Sequence, residues 1–194
     1  MTTTTGHFNI FSILEFACNH PVMPSPHDKE LQKEYANLLK KLVEGVPEKP
    51  GWYLWGHFND MGWWETIYLG KAGKQKTSSL HTRLYGELRD EGVIAFWSQI
   101  YGREPVLKQL AKLRDGKWEP NRSLRKTGSE TVIWVAVEDA ISEEQIKQQE
   151  DLLIKIYRPT HNAARWNQDA VHDAMTQDIE SAVEAELKSL ITLS

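Results

Sequence analysis

The chain has 194 residues and a mass of 22.4 kDa, enough for one domain with an appendage and too little for two large ones. Hydrophobic residues make up 40% and charged residues 26%, which excludes a wholly disordered chain. The single cysteine, Cys18, excludes an intrachain disulfide and a cysteine-rich zinc module. The longest apolar run, Val132 to Val137, falls far short of a membrane span. The first residues lack the basic start and apolar stretch of a secretion signal, so the expectation is a cytoplasmic protein with no membrane partner.

The formal charge of −4 is unevenly spread. Residues 1–70 carry net −3, residues 71–126 net +7 and residues 138–194 net −7. A basic block between acidic flanks can present one phosphate-attracting face on an acidic molecule.

Residues 7–17 are apolar enough for a strand, and Pro21, Pro24 and Pro26 keep the next stretch irregular. Asp28 starts a helix to about Glu44, with Leu31, Tyr35, Leu38 and Leu42 on one stripe. Two aromatic-rich runs, Gly51–Gly56 and Trp63–Gly70, flank an Asn/Asp/Gly cluster and read as a β-hairpin. A turn centred on Asp60 and Met61 sets Tyr53 opposite Tyr68, with both phenols on one face. Lys71–Ser79 is a loop carrying Lys74 and Lys76. A helix capped by Ser78 or Ser79 then runs to about Asp90, buried along Leu80, Leu84 and Leu88.

Two further helices are expected at 93–101 and 105–114, with Lys108 and Lys112 one turn apart on the polar side of the second. A long basic loop, 115–130, carries Lys117, Arg122, Arg125 and Lys126. Thr131–Val137 reads as a central strand covered on both faces. Ser142 and Gln145 form a capping box, with Ile141 and Ile146 as staple, for a helix to about Tyr157. A final amphipathic helix spans 169–190.

One acid stands in an apolar place. At about 100° per residue, Glu150 lies roughly 40° from Ile146 and within about 60° of Leu153 and Tyr157. A buried carboxylate is costly unless paired or metal-bound. The alternatives are a structural ion pair and a Mg²⁺ ligand, since magnesium tolerates few carboxylates and keeps its waters.

Gly51-Trp52-Tyr53, Tyr68-Leu69-Gly70-Lys71-Ala72, Leu80-x-x-Arg83 on a helix, the lone inward Glu150 and Pro159-Thr160-His161-Asn162 together resemble the GIY-YIG nuclease family across residues 50–165. The resemblance implies an α/β (α+β) fold with a small, mainly antiparallel three-stranded sheet flanked by helices. The division it suggests is an N-terminal extension (1–49) with one helix, the nuclease-like domain (50–165, with the insert 92–130) and a C-terminal helix (166–194). The sequence departs from the family pattern in the long gap between Tyr68 and Arg83. It also departs in Glu87, where many members carry histidine or tyrosine; a surface pairing with Arg83 is the simple expectation for that residue.

The activity implied is that of a Mg²⁺- or Mn²⁺-dependent DNA endonuclease of restriction or mobile-element type. Tyr68 would be the base or water-orienting group, with Lys71 lowering its pKa. Tyr53 would position water or phosphate, and His81 would supply an imidazole. Arg83 would grip the phosphate with its fork, Glu150 would hold the metal, and Asn162 would support Tyr68 or the metal shell. Lys74, Lys76, Arg89, Lys108, Lys112, Lys117, Arg122, Arg125 and Lys126 would meet double-stranded DNA. A double-strand break would need two sites or two nicks, which suggests a homodimer. The competing readings are a non-catalytic nucleic-acid-binding module on the same scaffold, and a ligand-binding domain stacking on Trp52, Trp55, Trp63 and Trp64.

Overall fold

The computed structural model describes residues 2–20, 27–92, 128–138, 140–166 and 173–192. Lys108, Lys112, Lys117, Arg122, Arg125 and Lys126, with both helices expected between 93 and 114, lie outside the described residues, as does the side chain of Lys76.

Strands β1 (Thr3–Asn9), β2 (Gly51–Phe58), β3 (Trp64–Ala72) and β4 (Thr131–Val137) form one antiparallel sheet in the order β1-β4-β2-β3. Helices α1 (Phe11–Asn19), α2 (Lys29–Leu42), α3 (Leu80–Gly86), α4 (Glu143–Tyr157) and α5 (Ala174–Thr192) flank it. The expected three strands become four because Thr3–Asn9 pairs along the whole of β4. The apolar stretch at 7–17 therefore divides: Phe8 lies near the end of a strand, and Phe11–Asn19 is helical with Ile13, Phe16 and Ala17 buried. Residues 1–49 thus supply a strand of the sheet and two helices, where one helix was expected.

Strand alternation sorts the core into two layers. Tyr53, Trp55, Tyr68, Ala72, Val132, Trp134 and Ala136 share one face with α1, α2 and α3. Trp52, Leu54, Leu69, Val135 and Val137 share the other with α4 and α5. β4 is buried along its whole length, as its unbroken β-branched run requires. Asp28 caps α2 at Leu31 N–H, and Ser79 caps α3 at Thr82 N–H. Ser142 and Gln145 close a full capping box on α4, which ends at Arg158 in the left-handed region, just before Pro159. Residues 87–92 continue α3 as a wider π-helical turn. Among the described residues, no helix is long and apolar enough to cross a membrane.

The hairpin register differs from expectation. Tyr53 lies opposite Gly70, and Tyr68 opposite Trp55. The pairing passes from Trp55–Tyr68 to Gly56–Thr66, so Ile67 is an extra residue on β3. That bulge, together with a turn held by Asn59, shifts the partner by two residues. A shift of two preserves the face, so both phenols still lie on one side, with ring centroids 6.3 Å apart.

Candidate active site

The two motif glycines are places where no side chain fits. A Cβ at Gly51 would collide with the Val135 carbonyl of β4. A Cβ at Gly70 would sit 2.5 Å from both Cζ and the hydroxyl of Tyr53. Tyr53 therefore leans across β3, the edge strand, and Gly70 is what lets its phenol reach the border of the sheet.

Two charged groups meet at that phenol. Tyr53 OH donates to Glu87 Oε1 at 2.6 Å, and Arg83 Nε donates to the Tyr53 oxygen at 3.2 Å. Arg83 Nε also lies 3.1 Å from Glu87 Oε1. Arg83 and Glu87 stand one helical turn apart, but theirs is not the expected surface pair. The Glu87 side chain is 3% exposed, that of Arg83 42%. Tyr53 is fully buried. Burial, then the negative charge of Glu87, push its phenol well above the usual range. At neutral pH it is a proton donor. The oxygen of Tyr53 and the carboxylate of Glu87 hold Arg83 firmly in its charged form against its partial burial.

Tyr53 was expected to position water or phosphate; its hydroxyl is instead committed to Glu87 and Arg83 in the interior. Lys71 was expected to act on Tyr68. The register along this stretch is regular, so residues 68 and 71 leave the strand on opposite faces, and Lys71 lies across from Trp52. His81 Nδ1 lies 3.2 Å from the Val46 carbonyl, which ties the imidazole to the loop after α2 instead of to the phenols. Lys74 donates its backbone N–H to Glu143 and is exposed. Arg89 is exposed, with its guanidinium 6.0 Å from the centre of the Tyr85 ring.

Glu150 is buried on α4, as the helical wheel requires, but it has a partner. Arg165 donates to Glu150 at 2.9 Å and also to Asp151. Burial works against the Arg165 charge, but the hydrogen bonds to Glu150 and Asp151 prevail, and its pKa rises. Glu150 therefore needs no metal to account for its burial. Arg165 is not announced in the sequence, because it lies just beyond Asn162 in a short 3₁₀ turn, Thr160–Arg165, with no periodicity to aim it.

Asn162 lies between the two groups. Its Oδ1 accepts from Leu69 N–H at 3.0 Å and its Nδ2 donates to the Leu69 carbonyl at 3.1 Å. The amide imitates a neighbouring strand on the open edge of β3, one residue from Tyr68. It was expected to hold Tyr68 or a metal shell; it holds the backbone instead.

Tyr53, Tyr68, Arg83 and Glu87 thus approach β3 from one face, α4 with Glu150 covers the other, and Asn162 closes the edge. Among the described residues, no group of three or more His, Cys, Asp or Glu side chains gathers to hold a metal ion. Two carboxylates on one guanidinium nevertheless leave an excess negative charge at Glu150 and Asp151. Arg165 is the cation that both carboxylates already hold, so a Mg²⁺ bound largely through water would enter only in its place. No family model, curated protein or solved structure matches the chain.

Proposed function

We propose that this protein is a GIY-YIG-like phosphodiester hydrolase acting on DNA. The observation that carries the reading is the buried Tyr53–Glu87 pair holding an exposed arginine over the edge strand at the motif glycine, Gly70. The scissile phosphate would lie at that edge. Arg83 would donate its terminal fork to the phosphate oxygens, and the charge it supplies counts most as negative charge grows in the transition state. Tyr68, only 7% exposed, is the second phenol that the sheet places on that face and would orient the attacking water. Asn162 fixes the strand that carries it. Glu150 and Asp151, on the other face of β3, would take a Mg²⁺ only by displacing Arg165, and such an ion would reach the phosphate around the edge of the strand, where it would supply positive charge to the leaving oxygen. The basic block 71–126 would draw in the phosphate backbone.

Purified full-length chain incubated with supercoiled plasmid tests this. Nicking that requires Mg²⁺ or Mn²⁺ and disappears in Arg83→Ala supports the reading; DNA binding with no nicking in either metal overturns it. That outcome would favour a binding module that does not cut. The neutralisation of Glu150 by Arg165 is the observation on that side.

A further inference from the structure

We propose that Glu87 is a positioning residue: it clamps Arg83 through Nε so that the two terminal amines are presented, in a fixed plane, to a substrate phosphodiester. This rests on the reading of the same site as a phosphodiester hydrolase and adds a residue whose type departs from the motif.

A guanidinium is planar and its five donors keep a fixed relation to one another. Fixing the Nε–H direction therefore fixes the direction of the fork. The Arg83 Nε–H donates to the Tyr53 oxygen at 3.2 Å, and the same nitrogen lies 3.1 Å from Glu87 Oε1 as an ion pair. Those two atoms are themselves joined by the 2.6 Å hydrogen bond from Tyr53. The three form a closed triangle anchored on a fully buried ring and on a carboxylate that solvent barely reaches. The terminal amines lie beyond Nε, on a side chain that is 42% exposed.

The arrangement is costly for the fold. Glu87 stands beside Leu84 and Leu88, both fully buried, where a leucine would pack without giving up hydration. Replacing a buried ion pair by an apolar residue of similar volume is often neutral or stabilising. A carboxylate kept there against that preference is explained by what it does to Arg83. It also adds negative charge beside an incoming phosphate. That opposes tight ground-state binding, so Glu87 serves orientation more than affinity.

The test uses the full-length chain and two variants. Glu87→Leu keeps the volume and removes the hydrogen bond from Tyr53 together with the charge; Glu87→Gln keeps the shape and removes the charge. The first readout needs no activity: the ¹⁵N signal of the Arg83 side-chain Nε–H, assigned by its loss in Arg83→Lys. In the wild type it is expected to be resolved from exposed arginines and slow to exchange. In folded Glu87→Leu it should join them, with Glu87→Gln intermediate. The second readout is duplex cleavage in Mg²⁺: kcat is expected to fall about 100-fold in Glu87→Leu, with KM unchanged or lower and circular dichroism unaltered.

A Nε–H signal unchanged in folded Glu87→Leu overturns the clamp, and so does an unchanged kcat in a wild type that cuts. Should Glu87→Leu fail to fold, the same two outcomes in Glu87→Gln decide. A wild type that cuts nothing sinks the hydrolase reading by itself. The clamp is then judged by whether a short DNA duplex shifts the Arg83 signal in the wild type and not in the variant.

Discussion

Each face of the sheet carries an arginine–glutamate pair, and the two are built in opposite senses. On the Tyr53 face one carboxylate, almost wholly enclosed, meets one guanidinium that reaches solvent, and a neutral phenol completes the group. That cluster carries no net charge and exposes its positive end. On the α4 face one guanidinium, 31% exposed, is shared by two carboxylates. That cluster keeps an excess negative charge and uses its positive end internally. The first can receive an anion without giving up its own contacts. The second can receive a cation, though only in competition with Arg165. The chemical sense of an ion pair is thus set by which partner faces water and by how the charges count, not by its residue types.

The largest expected effect breaks the first cluster. Arg83→Ala should lower kcat/KM for DNA cleavage about 100-fold, in the range found when one pre-aimed transition-state donor is lost. It should leave secondary structure intact, because the side chain is partly solvated and packs at the end of a short helix rather than inside the core. Cleavage within a few-fold of wild type would mean that this face does not bind the reacting phosphate.

The border between the clusters comes next. Asn162→Ala removes both hydrogen bonds from Leu69, leaving an N–H and a carbonyl unpaired beside a fully buried side chain. The expected loss is about 2–3 kcal/mol in urea unfolding. Asn162→Asp, which can accept from the N–H but cannot donate to the carbonyl when ionised, should recover part of it. Equal stability of Ala and wild type would show that the edge of β3 is satisfied some other way.

The residues also differ in how plainly the sequence announces them. β4, the α4 capping box and the inward Glu150 are legible because each rests on a short-range rule: β-branched runs, cap chemistry, helical period. The Tyr53 face is legible for the same reason, since alternation survives a register error of two. The hidden features depend on contacts across long loops. No local signal tells Thr3–Asn9 to pair with β4, more than 120 residues away, or aims Arg165 at Glu150. Lys71 is close to Tyr68 in sequence, but the two-residue period of a strand outweighs that proximity and turns it away. Glu87 suggests a surface pair because its helical spacing to Arg83 is visible in the sequence and its burial is not.

The second cluster is tested by removing its cation. Arg165→Ala leaves Glu150 buried without a compensating charge. The cost should be about 2 kcal/mol, below that of a fully enclosed pair because Arg165 is partly solvated. If Glu150 and Asp151 can take a divalent ion, millimolar Mg²⁺ should return part of that stability through binding to the native state. It should return none to the double variant Arg165→Ala/Glu150→Gln. Equal response of the two to Mg²⁺ would assign Glu150 a purely structural role.

The smallest effect concerns α5, which shares the face of the second cluster. Asp173 accepts from Thr176 N–H at 2.8 Å, from the Thr176 hydroxyl, and from Gln149 of α4 at 2.9 Å. Partial burial acts to raise its pKa, but the hydrogen bonds from Thr176 and Gln149 outweigh it and hold the carboxyl below its usual value. A carboxylate depressed in the folded state contributes stability that is present above its unfolded pKa and is lost as pH falls through the folded one. Asp173→Ala should therefore cost about 1 kcal/mol at pH 7, the usual magnitude for a lost helix cap. The gap between variant and wild type should narrow as pH falls below about 4. Asp173→Asn keeps an acceptor at the cap and should lose less at pH 7 while showing none of the pH dependence. A constant difference between Asp173→Ala and wild type from pH 7 to pH 3 would mean that the ionised form of Asp173 does not hold α5 to α4.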